Sequence, residues 1–319
     1  MTTPPVTIDL QYRGIPEAAA SFLFHTDEGP VLLESGPTST LATLQTALVA
    51  ASVDPTSIRA VILTHIHLDH AGAAGWFAEH GANVHVHPFG VAHLADPAKI
   101  NASARRIYGD ALDHLFGEMH ACPAERIHPA EDGEAIRYGR HEFTAIETPG
   151  HARHHHAWSI PLDDGRTCFS GDVAGMRVPG TDHPILPLAP PEFDPKAWKA
   201  SLDRIERGKF DALELTHFGR VDDPMDHLER VRDQLDWEAA LAIDLLDDGD
   251  LDESGRISAY RDELHERAAA DGVPATSRAT YLNDGGISMN LGGVRRYLKT
   301  SRSEPTGTDH GSTGGSSTN

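Results

Sequence analysis

Within six residues this chain carries four groups able to bind a divalent cation: His65, His67, Asp69 and His70, in the run Thr64-His65-Ile66-His67-Leu68-Asp69-His70. On an extended segment alternate side chains point the same way, so His65, His67 and Asp69 share a face, and the turn that follows brings in His70. Neutral imidazoles with a carboxylate suit zinc and other borderline ions, and one such loop can contribute to two ions at once. Further donors stand at three other places: His151 in Thr148-Pro149-Gly150-His151, Asp172 in Ser170-Gly171-Asp172, and His217 in Thr216-His217-Phe218-Gly219.

The surrounding pattern explains how these could meet. Arg59 to Leu63 reads as a buried strand running into the first loop, and His141 to Glu147, Thr167 to Ser170 and Ala212 to Leu215 read as strands before the other three. Every donor thus sits at a strand exit, where loops at one end of a rigid sheet assemble catalytic groups. Strands are also expected at Val6 to Leu10, Ser21 to His25, Val31 to Glu34, Asn83 to His87, Ala135 to Tyr138 and His156 to Pro161, with Asp163-Asp164-Gly165 as a hairpin signal. Thr38 to Ala51 and Ala197 to Arg207 are helix candidates, and a helical insertion is expected over about 88–120. Gly175 to Pro195, with six prolines, is a long loop expected to cover something.

From Pro224 onward no strand signal remains, and Met225 to Leu246, Ile257 to Ala270 and Ile287 to Leu298 read as helices. The expected organisation is therefore 1–223 as the domain carrying the donors, 224–300 as a helical C-terminal region, and 301–319 as a disordered Ser, Gly and Thr-rich tail.

Composition narrows the partners. The 319 residues carry 48 Asp and Glu against 27 Lys and Arg, a formal charge of −21, which disfavours nucleic acid because counterion release needs clustered cations. The two cysteines, Cys122 and Cys168, suggest no disulfide framework. With no basic leader and no apolar run of about 18 residues, a soluble cytoplasmic protein is expected, with a small-molecule substrate, no membrane, and a homodimer allowed.

The seven donors, in this order, resemble the signature of the metallo-β-lactamase fold hydrolases, His-x-His-x-Asp-His followed by a His, an Asp and a last His; the likeness spans roughly residues 5 to 220. The resemblance implies an α/β fold, an αββα sandwich with two metal ions at one edge. It implies that His65, His67 and His151 hold one ion, that Asp69, His70 and His217 hold the second, and that Asp172 bridges them. It places His155, four residues after His151, at a position that supports the ligands. Where many members have Asp-x-Gly after the third strand, this chain has Glu34-Ser35-Gly36, and Glu34 is a candidate for the same supporting role.

Zinc is the first expectation for the ions, with iron or manganese as alternatives. Two ions generate a bridging hydroxide at neutral pH, with Asp69 as the catalytic orienting group and proton shuttle. The expected activity is hydrolysis of a small ester, thioester or lactone, in the glyoxalase II and lactonase-like branch. The alternatives are a phosphodiesterase of the tRNA-processing type, which lacks its basic arm here, and a mononuclear-iron persulfide dioxygenase. Tyr108 and Arg105, on the helical insertion, are candidate substrate contacts. His154 and His156 are expected on a solvated or strand face, and His85 and His87 as structural residues.

Overall fold

The computed structural model describes residues 2–301; residues 302–319, nearly all of the tail expected to be disordered, lie outside the described residues. Strands β1 (Val6–Asp9), β2 (Ala20–Thr26), β3 (Gly29–Leu33), β4 (Ala60–Ile62), β5 (Asn83–Val86) and β6 (Ile127–Pro129) form one sheet in chain order, antiparallel up to β3 and parallel beyond. The second sheet takes β7 (Ala135–Tyr138), β8 (His141–Glu147), β9 (His156–Leu162) and β10 (Gly165–Gly171) as an antiparallel meander. A two-stranded ribbon of β11 (Met176–Arg177) and β12 (Pro184–Ile185) stands apart from it. The sheet is completed by β13 (Ala212–Leu215), parallel to β10, and β14 (Gly219–Val221).

The period-2 alternation of these strands decides the layering. In β2 to β4, Leu23, Leu32 and Val61 point to one core, while Phe22, Phe24, Val31, Leu33, Ala60 and Ile62 point to another. The second set meets Phe143, Ala145, Trp158, Ile160 and Phe169 of the other sheet, so this core lies between the sheets. Phe24 packs edge-on against Phe143 at a centroid separation of 5.0 Å. Helices α1 (Leu41–Ala50), α2 (Leu68–Ala71), α3 (Ala74–Glu79), α4 (Val91–Ala95), α5 (Ala98–Tyr108) and α6 (Ala111–Leu115) cover the outer face of the first sheet through Leu44, Leu48, Phe77, Leu94 and Leu112. Helices α7 (Pro195–Gly208), α8 (Pro224–Asp247), α9 (Glu253–Ala270), α10 (Ala275–Tyr281) and α11 (Asp284–Ser301) cover the second. The result is an αββα sandwich with a helical C-terminal region.

That region shares a single apolar cluster with the second sheet, in which Cys168 and Leu213 of the sheet join Leu235, Tyr260 and Val294 of the helices. The insertion expected to be helical over about 88–120 is three short helices, α4 to α6, followed by irregular chain from Phe116. The six-proline segment is a loop around the β11–β12 ribbon.

Candidate metal centre

Strand β4 ends at Ile62, and its continuation is clamped between the sheets: Trp158 Nε1 donates to the Leu63 carbonyl at 3.0 Å, and the His156 amide donates to the Thr64 carbonyl at 2.7 Å. His67 then caps α2, whose short turn carries Asp69 and His70. His151 follows Gly150 at φ +134°, where a Cβ would lie 2.3 Å from the Trp198 backbone, so only glycine lets α7 close against this loop. Asp172 follows Gly171, and His217 leaves the end of β13.

All seven donors meet at this one edge. His67 Nδ1 lies 3.0 Å from His65 Nε2 and 2.9 Å from His151 Nε2. His70 Nε2 and His217 Nε2 are 3.3 Å apart. Asp172 stands between the groups: Oδ2 is 3.4 Å from His151 Nε2, while Oδ1 is 3.2 Å from His70 Nε2 and 3.6 Å from His217 Nε2. Asp69 Oδ2 is 3.6 Å from His217 Nε2. The side chains of His65, His70, His151, Asp172 and His217 are buried, whereas that of Asp69 is 24 % exposed and opens onto the adjoining cavity.

Four of the five imidazoles have their far nitrogen committed, which fixes the tautomer. His151 Nδ1 donates to the Pro187 carbonyl at 2.8 Å and His217 Nδ1 to the Ala18 carbonyl at 2.7 Å. His70 Nδ1 lies 3.2 Å from Glu34 Oε1. The Thr64 hydroxyl donates to the same Glu34 oxygen, so it accepts from His65 Nδ1 at 3.0 Å. The nitrogens that His65, His151 and His217 turn toward the other donors therefore carry lone pairs, while His70 has a carboxylate oxygen on each side, from Glu34 and Asp172. The residues fit a metal ion: the ligand atoms of His65, His67 and His151 lie within 4.8 Å of one another, as do those of Asp69, His70 and His217.

Electrostatics sort the two halves. Burial, then neighbouring imidazoles, lower His65 well below its ordinary value and His67 to about 3, keeping both neutral as ligands must be. Burial would lower His70 too, but Asp172, Glu34 and Asp69 lift it well above the usual histidine range. Burial works to raise Asp172, and His70, His151 and His217 more than reverse it, holding it ionised.

The supporting positions are occupied as follows. Glu34, fully buried at φ +69°, holds His70 and Thr64. His155 Nε2 accepts from the Asp172 amide at 3.1 Å, and its Nδ1 lies 2.8 Å from the Thr148 hydroxyl. Tyr108 lines the adjoining cavity, but Arg105 does not: its guanidinium is held by Asp113 at 2.6 Å and Glu118 at 2.8 Å on the insertion's surface. His156, expected on a solvated or strand face, is buried against His87 with neither ring nitrogen hydrogen-bonded. His85 contacts the Tyr138 hydroxyl at 2.8 Å across the sheets.

Tyr12, Arg13 and Asn290 were not legible as site residues. Tyr12 and Arg13 lie in a tight turn with left-handed Gln11 and Arg13, and line the cavity beside Asp69. Asn290, on α11, donates to the Leu186 carbonyl at 2.8 Å and accepts from the Leu188 amide at 2.9 Å. It thus pins both sides of Pro187, the residue whose carbonyl orients His151. No spacing relates residue 290 to 151; only the packed tertiary structure does.

An αββα sandwich with this donor edge defines a class, and the family model for the metallo-β-lactamase superfamily matches residues 14–217. The chain belongs to that superfamily. It is 28 % identical over 211 residues, 65 % of this chain and 75 % of the other, to the metallo-β-lactamase fold-containing protein ST1585 of Sulfurisphaera tokodaii. The crystal structure of ST1585 superposes with a TM-score of 0.64 at 22 % identity, covering 92 % of this chain and 99 % of that one. The family protein TTHA1429 from Thermus thermophilus superposes with a TM-score of 0.62 at 19 % identity, covering 89 % of each chain.

Proposed function

We propose that this protein is a dinuclear metal-dependent hydrolase of small esters, thioesters or lactones, with His65, His67 and His151 holding one ion, Asp69, His70 and His217 the other, and Asp172 joining them. The observation that carries this reading is the convergence of seven donors, with four of the imidazole rings oriented from behind by Thr64, Glu34 and the Pro187 and Ala18 carbonyls. Five imidazoles and two carboxylates suit zinc, the ion taken here, and are also compatible with iron or manganese.

When bound, such ions supply Lewis acidity and a lowered water pKa, which replaces the Ser or Cys nucleophile of other hydrolases. The chain supplies the rest. Asp69, the donor exposed to the cavity, orients the attacking water and carries its proton at a carboxylate oxygen. Glu34, His155 and the Pro187 carbonyl hold the ligand rings and Asp172 in place, and the apolar cavity walls exclude bulk water. The acyl classes are favoured over nucleic acid phosphodiesters by the charge of −21.

The test is metal analysis of the purified protein joined to a panel of ester, thioester, lactone and phosphodiester substrates. We expect two ions per chain, acyl hydrolysis, loss of activity on dipicolinate treatment and recovery with zinc. A single iron with oxygen uptake on a persulfide, or phosphodiester cleavage alone, would overturn the proposal.

A further inference from the structure

A cavity of about 300 Å³ includes Asp69, Asp172 and His217 in its wall and extends from them to the C-terminal helices. This is the lower end of the size of small-molecule sites. Away from the donors much of its lining is apolar, from Met176, Ile185 and Leu186 on one side to Leu282, Ile287 and Met289 on the other, with Arg177, His183, Gln234 and Glu238 among them. The polar groups deepest in it are satisfied by one another. Glu238 Oε1 accepts from the Tyr260 hydroxyl at 2.6 Å and from Asn290 Nδ2 at 2.7 Å, and its Oε2 accepts from Gln234 Nε2 at 3.0 Å. The remaining Asn290 groups are used by the backbone of Leu186 and Leu188. Within this cluster no donor is left for a charged ligand group; elsewhere in the wall, Arg177 gives one guanidinium N–H to the Arg220 carbonyl at 2.8 Å.

The mouth differs. Arg13, exposed and without an ion-pair partner among the described residues, stands there with Tyr12 and Tyr108 near Asp69. Tyr281 Oη reaches the Pro16 carbonyl at 3.4 Å, so the C-terminal helices and the turn around Arg13 close over one cleft.

We infer that the substrate is an acyl ester or lactone whose acyl part carries an unbranched apolar chain, seated between the β11–β12 ribbon and α11, with its leaving group directed to the Arg13 mouth. This rests on the hydrolase reading above. A cavity of about 300 Å³ is large enough for a chain of several methylenes beside the ester group. Met176 and Met289 give walls that adapt to a flexible chain. On the leaving side, Arg13 meets the negative charge that develops as the acyl–oxygen bond breaks and water supplies the new acyl oxygen.

The test measures kcat/KM of the zinc-loaded enzyme on p-nitrophenyl esters from acetate to decanoate. The result expected is a rise of about threefold per methylene up to about octanoate, then a plateau or fall. Met289→Trp, at a half-buried position outside the donor set, should move the optimum to butanoate and lower kcat/KM on octanoate at least tenfold. In parallel, calorimetry of the metal-free protein with octanamide and acetamide reads the channel without catalysis: octanamide should bind at least tenfold more tightly, and Met289→Trp should abolish the difference. A flat or falling chain-length profile, or a profile and a binding difference that Met289→Trp leaves untouched, would overturn the inference. If no ester of any length is cleaved, the hydrolase reading fails, and octanamide binding alone then upholds or overturns the channel.

Discussion

Glu34 shows how much a single side chain can hold. Its Oε1 touches His70 and Thr64, and through Thr64 it reaches His65, so one carboxylate orients a ring in each half of the donor set. Glu34→Gln keeps the size and removes the charge. We expect zinc affinity to fall by roughly 10- to 100-fold, read by competition with a chromophoric chelator, with little change in urea stability of the metal-free protein. Unchanged affinity would show that the carboxylate plays no part. Glu34 and the seven donors were legible because each lies at a strand exit in family order, and strand exits can be read from apolar runs. Helical periodicity reveals a face but not its neighbours, so it did not show that Asp113 and Glu118 hold Arg105. Arg13 escaped because nothing local announces a left-handed arginine at the rim of a cavity.

At the scale of elements, the connection between α11 and the loop at 186–188 joins the helical region to the donor edge. Asn290→Leu strands the Leu186 carbonyl, the Leu188 amide and part of Glu238 in a buried setting. The cost expected is about 2–4 kcal/mol in urea titration of the metal-free protein. With Pro187 loosened, His151 loses its fixed acceptor, so zinc affinity should drop as well. A variant that is destabilised but binds zinc normally would confine Asn290 to folding. Helices α8, α9 and α11 were legible within a few residues from their periodicity. Helix α10, Ala275–Tyr281, was not, because ATSRATY has no apolar stripe; it forms because Tyr281 and its neighbour Leu282 pack on the shared cluster.

For the molecule as a whole, stability carries a pH signature at Glu214. Burial raises its carboxyl from 4.5 to about 7 even though Arg220 lies 3.6 Å away. The folded chain therefore keeps a proton that the unfolded chain releases near 4.5. The stability this adds is complete below that value and is lost as pH rises through about 7. Between pH 5 and 8 the wild type should lose up to about 3 kcal/mol relative to Glu214→Gln, which stays neutral throughout. Parallel slopes for the two proteins in urea titrations across that range would refute it. The layered architecture was readable through the family resemblance that the donor order carries. That the C-terminal helices share their core with the second sheet was not, because a helix's apolar stripe does not say what it covers. Among the described residues, no helix is long and apolar enough to cross a membrane.

The hold on His151 also has a consequence for the order of events during synthesis. The carbonyl that orients this ring is pinned by a residue 139 positions later, since 290 − 151 = 139. A nascent chain has therefore made every donor by His217 before the residue that supports His151 has been synthesised. On the proposed reading, chains stalled short of α11 should hold an ion at His65, His67 and His151 more weakly than chains that include it, measured by chelator competition on a truncation ending before Asp284.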